Sequence, residues 1–275
     1  MTTTAAAAPL EPPAPPERPP WRAWTAPAAL LLAITIALLL SSVVYVVGAI
    51  ATGHSKSSPG ANLVATVLGD VAFVAAAVFF AQLAARPTPE QFGLRPTRVR
   101  PALKWMALGY GAFWLVTATW FVALGIHDKD RTLNDLGGST PSLAAAALLV
   151  TVIAPIAEEV LFRGYIFTAL RGWAGVWGAA AITGVLFGAI HIDPDRPTGF
   201  LLPLAFLGFV LCLIYARTRS LYPCIALHSI NNAIAYGATE SWSWQIPLLV
   251  VGALALITAV LAPARRLSGL WPRAA

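Results

Sequence analysis

The sequence predicts an all-α fold, a polytopic membrane bundle of about eight transmembrane helices, on three observations. Of its 275 residues, 58% are hydrophobic. Only 11% are charged, whereas a soluble domain carries about a quarter. Mean hydropathy is +0.72. Roughly 160 apolar residues suffice for about eight spans of ~20 residues each. Such a balance excludes a soluble enzyme, a nucleic-acid-binding domain and a disordered scaffold. The excess of 18 basic over 12 acidic residues fits cytoplasmic loops better than nucleic acid. The expected surroundings are the lipid bilayer.

Apolar runs separated by Pro, Gly and charge place the spans at about 25–51, 61–85, 103–126, 141–170, 175–191, 199–217, 223–238 and 244–262. Residues 1–22, rich in Pro and Ala, cannot bury a core and read as a disordered cytoplasmic tail. The first apolar run is too long for the core of a secretory signal, so it is expected to stay in the membrane. Residues 23–264 form the bundle and 265–275 a short C-terminal tail. Thr140-Pro141 and Tyr222-Pro223 supply helix-start signals for the fourth and seventh spans. With both termini inside, thirteen of the 18 basic residues fall in inside segments and four outside. Arg163 alone stays deep within a span. This distribution satisfies the positive-inside rule and predicts a multi-pass cell-membrane protein with cytoplasmic termini.

Six ionisable residues remain at membrane depth: Asp70, Glu158, Glu159, Arg163, His191 and His228. Such groups are costly there and generally face a bundle interior or a wet cavity. Glu159 and Arg163 are i and i+4, acid before base, and can pair on one helix face. Glu158 points about 100° away, so the two carboxyls are expected in different environments. Without an intrahelical cation, Glu158 is suited to take up a proton and return it. Pro155, one turn earlier, removes a backbone hydrogen bond and opens room for water. Phe187 and His191 share a face at the end of the fifth span. His228 and Asn232 lie one turn apart on the seventh and can hold a carbonyl or a developing oxyanion. At 1.5 Å per residue the three helices can bring Glu158, His191 and His228 to one cavity open to the cytoplasm.

In this order, Glu158-Glu159-x-x-x-Arg163, Phe187-x-x-x-His191 and His228-x-x-x-Asn232 resemble the three motifs of the CPBP intramembrane proteases. This family is also called type II CAAX prenyl endopeptidase or ABI. Gln91-Phe92-Gly93-Leu94-Arg95 is similar to a further family feature. The resemblance implies a protease core at about 141–238. It implies Glu158 as the base, Glu159 and Arg163 as its support, and His191 as a water ligand. His228 and Asn232 would form the oxyanion site. Phe187 is a substrate-binding candidate. A divalent metal such as zinc on Glu158, His191 and His228, and a metal-free glutamate mechanism, are both compatible with these residues.

Among the remaining residues, Asp70 is expected to be a hydrogen-bonded packing contact or a partly wet position. His54 and His127 read as solvated loop residues. Trp21, Trp24, Trp105, Trp242, Trp244 and Trp271 read as interfacial anchors. Arg95, Arg98, Arg100 and Lys104 form a basic run that orients the chain and contacts anionic lipid. Cys212 and Cys224 are small packing residues. The functional expectation is an intramembrane endopeptidase acting on a membrane-associated or lipidated protein or peptide. Two rivals are a non-catalytic self-immunity protein on the same scaffold and a proton-coupled transporter. The transporter lacks an evident inverted repeat.

Overall fold

The computed structural model describes residues 19–53, 58–126, 139–194 and 196–267. His54, His127, Trp271, most of the N-terminal tail and residues 268–275 lie outside them. All regular structure among the described residues is helical. Helices α1 (Thr25–Thr52), α2 (Pro59–Gln82) and α3 (Val99–Leu124) are followed by one 50-residue run, Thr140–Ala189.

That run is two rods. Gly175 has φ 67° and ψ −176°, a backbone state that breaks the helix. Phe162 and Phe187 have ring centroids 5.2 Å apart, whereas a straight helix would separate these residues by about 37 Å. The chain therefore folds back at Gly175, giving α4 (residues 140–174) and α5 (residues 176–189). Helices α6 (Leu201–Thr218), α7 (Leu221–Thr239) and α8 (Gln245–Leu267) complete eight rods among the described residues. This is a multi-pass membrane bundle, as the composition predicts. The described residues include six stretches long and apolar enough to cross a bilayer. α7 is not among them, because polar residues line its buried face.

Caps set the starts of α4 and α7. Ser139 Oγ accepts from Ser142 N–H, and Ser220 Oγ from Tyr222 N–H. The cap therefore precedes the expected Thr140 by one residue, and α7 starts two residues before Pro223. α4 forms the centre, with every residue of Val160–Phe167 buried. α1, α3 and α8 present Leu31, Leu38, Val99, Leu115, Val122, Leu248 and Val260 outward. An apolar outer surface on this scale belongs against lipid. Small residues allow the close helix pairs: a Cβ on Gly184 would stand 2.6 Å from the Ala205 carbonyl, and one on Gly188 2.8 Å from Ala205 Cβ.

A latch joins the α2–α3 loop to the α6–α7 turn. Leu221 N–H donates to Gly93 O at 2.8 Å, and Tyr215 Oη–H to Phe92 O at 3.2 Å. Arg95 Nε–H donates to Arg219 O at 2.6 Å, and Ser220 Oγ–H to Arg95 O at 2.6 Å. Two residues of the expected basic run and anchor set thus serve packing. Arg95 ties two turns together, and Trp21 is buried against Phe92 and Tyr165, both at 4.9 Å, instead of lying at the interface. Gly93 has φ 92°, and a Cβ there would meet the Tyr215 ring at 2.5 Å. Gly93→Ala is expected to destabilise the protein by about 2 kcal/mol or more, from backbone strain plus overpacking. A lower thermal midpoint in lipid nanodiscs checks this.

Candidate active site

The Glu158-Glu159 pair sits where α4 departs from regular α-helix. Leu149–Ile153 and Val160–Phe167 are π-helical, with Ala154–Glu159 between them. Turns of this kind widen the helix and re-aim its side chains, and they recur at functional sites. Ala154 N–H reaches back five residues to Leu149 O. At this spacing the next carbonyl, Val150 O, faces Pro155, which has no N–H. α7 supplies the missing donors. Asn232 Nδ2–H donates to Val150 O at 3.0 Å, and Ser229 Oγ–H to Thr151 O at 2.6 Å. Polar residues of α7 thus repair the backbone that Pro155 leaves open, and dock α7 on α4. Ser229 has no place in the sequence-level site, because only the fold reveals which carbonyl it serves. Ser229→Ala is expected to cost about 1–2 kcal/mol by stranding the Thr151 carbonyl. Chemical unfolding in mixed micelles, compared with Ser229→Thr, measures it.

At the centre, Glu159 Oε1 accepts from Arg163 Nη1–H at 2.8 Å and from His228 Nδ1–H at 2.9 Å. Glu159 and Arg163 are both fully buried. The guanidinium also donates from Nη2 to Gly208 O at 3.2 Å and lies 4.5 Å from the Phe187 ring centroid. The expected Glu159–Arg163 pair is present. The other ring nitrogen of His228, Nε2, stands 3.7 Å from Glu158 Oε2. The two carboxyls thus differ in burial and pairing, with one imidazole standing between them. An imidazole has nitrogens on two edges, and His228 uses one for each glutamate. Glu158 keeps 13% of its side chain exposed, and its Oε2 has no hydrogen-bond partner.

His191 is half-buried at the end of α5. Its Nδ1–H donates to Phe187 O at 2.7 Å, which leaves Nε2 as the acceptor. Arg196 Nη1–H donates to His191 O at 2.9 Å and closes the turn behind it. The Phe187 ring stands between the imidazoles, 4.8 Å from His191 and 5.6 Å from His228 by centroid. Phe187 is fully buried, and its ring is a packing platform for Arg163 and both histidines. Asn232 is one turn from His228, with one of its two N–H groups committed to Val150. Asp70 is buried with Oδ2 unpartnered, unlike the hydrogen-bonded or wet residue expected. Cys212 and Cys224 are buried free thiols.

Among the described residues, no three His, Cys, Asp or Glu side chains are arranged to hold a metal ion. His191 bonds Phe187 O and His228 bonds Glu159, each through Nδ1, which leaves Nε2 of each ring as the nitrogen available to a ligand.

Residues 140–234 match the family described as Type II CAAX prenyl endopeptidase Rce1-like. This stretch is similar to an Rce1-like domain. Every motif residue from Glu158 to Asn232 falls inside it. Outside it lie α1, α2, α3, α8 and the Phe92-Gly93 latch. The chain is 33% identical over 140 residues to "Putative membrane peptidase YdiL" of Bacillus subtilis (strain 168), covering 48% of this chain and 56% of that protein. It is 32% identical over 115 residues to "UPF0177 protein YxdF" of Lactococcus lactis subsp. lactis (strain IL1403), covering 41% and 59%. The chain thus spans little more than half the length of these curated relatives. No solved structure matches it.

Proposed function

We propose that the protein is an intramembrane endopeptidase in which Glu158 activates the water that attacks a peptide bond of a membrane-associated or lipidated substrate. The observation that carries this reading is the Glu158 carboxyl. It lies in the stretch similar to Rce1-like proteins with Oε2 unpartnered, half-buried among buried neighbours and beside a histidine whose far nitrogen is anchored. In the proposed step Glu158 takes a proton from water as the oxygen attacks the carbonyl carbon. It then returns that proton to the leaving nitrogen as the C–N bond breaks. Glu159 and Arg163 hold the His228 ring in place. The imidazolium form of His228 and the second N–H of Asn232 face the carbonyl oxygen as charge develops. His191 Nε2 accepts a hydrogen bond from the attacking water.

A cavity of about 450 Å³ between α2 and the Pro87–Leu94 loop supports an apolar substrate chain. Val74, Val78, Phe92, Leu94 and Val160 line it, with Arg86 and Gln82 also on its wall. Val160 of α4 forms part of its wall, so a chain held there would lie against the central helix. The test is reconstitution of the pure protein in liposomes with membrane-spanning and lipid-modified peptides, and mass-spectrometric reading of new termini. Cleavage at one internal bond is expected. Intact peptides throughout, together with full biological complementation by Glu158→Gln, would overturn the reading in favour of a non-catalytic membrane protein.

A further inference from the structure

Asp70 lies outside the stretch similar to Rce1-like proteins and outside all three motifs, yet α2 carries it alongside α4. α2 packs along residues 154–167 of α4. Both helices approach the Phe92 loop as residue number rises: α2 ends ten residues before Phe92, and Gly164 of α4 lies against its carbonyl. Phe73 meets Phe162 edge-on, with centroids 6.4 Å apart. Phe73 follows Asp70 by three residues, and Phe162 follows Glu158 by four. One turn back along each helix therefore puts Asp70 level with Glu158.

The chemistry at that level is unbalanced. Asp70 is only 6% exposed, and its Oδ2 and Glu158 Oε2 are both buried without hydrogen-bond partners. Arg163 is already bonded to Glu159, and His228 stands between the two glutamates. α1, on the other flank of α2, carries no charged residue and places Ala37 against Gly69. No cation is left to face Asp70 from these elements, and an uncompensated carboxylate at lipid depth is far costlier than the neutral acid.

We propose that Asp70 is a positioning residue, a neutral acid that holds the proton of an Asp70–Glu158 pair so that the pair's single negative charge resides on Glu158. This rests on Glu158 as the base. Exchange within the pair breaks one O–H bond and forms another, and needs no further reactant. In turnover, Asp70 keeps Glu158 ionised for the incoming water.

The test needs no substrate. The full chain in lipid bilayers is compared by infrared difference spectroscopy between H2O and D2O. Wild type is expected to show the C=O band of a protonated carboxylic acid. Asp70→Asn should remove it, Asp70→Glu should restore it, and Glu158→Gln, with Asp70 intact, should move it. A band that survives Asp70→Asn, or that Glu158→Gln leaves in place, overturns the proposal. If Asp70→Asn does not fold, the Glu158→Gln comparison decides alone. With a peptide that wild type cleaves, Asp70→Asn should lower kcat about tenfold at unchanged KM, with recovery in Asp70→Glu. Equal losses in both variants that track a falling thermal midpoint would mark a packing role and overturn it. Coupled bands without cleavage by wild type would remove the protease reading and leave the pair standing. Cleavage with uncoupled bands would do the reverse.

Discussion

Glu158→Gln is expected to reduce turnover of a cleaved membrane peptide by at least about 100-fold, with a thermal midpoint within about 2 °C of wild type. The two halves of this result have different origins. Activity falls because an amide cannot accept the proton of water. Stability holds because Glu158 Oε2 makes no hydrogen bond and the nearest ring nitrogen is 3.7 Å away. Gln has nearly the same shape, so no packing is lost and no partner is stranded. Glu159→Gln supplies the contrast, since Glu159 Oε1 accepts from both Arg163 and His228. That variant should lose stability as well as activity. Single-turnover cleavage and thermal unfolding, measured on the same proteoliposomes, separate the two. Turnover in Glu158→Gln within about threefold of wild type would remove Glu158 as the base.

The largest stability effect is expected at Arg163. Arg163→Met should destabilise the protein by about 3–5 kcal/mol, because it leaves Glu159 as a buried acid without its cation. The loss extends further. Gly208 O gives up a donor, the Phe187 ring loses the guanidinium against its face, and His228 loses the shared anchor that sets its ring. The double variant Glu159→Gln, Arg163→Met should recover a large part of the stability and none of the activity. Removing both members of a buried ion pair is far less damaging than removing one. Equilibrium unfolding of the four proteins in mixed micelles gives the cycle. Additive single effects would show that the pair is not coupled.

Local information was enough for much of this molecule. The eight rods follow from apolar runs of bilayer length, and the break near residue 175 from a glycine between two such runs. The Glu159–Arg163 pair follows from i,i+4 spacing, since one turn of helix fixes which side chains meet. The three site motifs were readable for the same reason, each being a one-turn pattern on a single helix.

Contacts across large sequence separations were not readable. His228 touching both glutamates, Ser229 and Asn232 serving carbonyls opened by Pro155, and Trp21 buried under Phe92 all depend on how rods dock. Phe187 illustrates the limit: its spacing to His191 was plain, but the burial that makes it a platform for Arg163 was not. Composition and helical periodicity therefore dictated that the chain enters a bilayer as a bundle and which polar groups it carries there. Which of those groups face one another was settled by packing, through π-helical turns in α4 and glycine contacts between α5 and α6. A polar side chain at lipid depth must find its partner on a neighbouring helix, and that partner exists only once the helices have assembled.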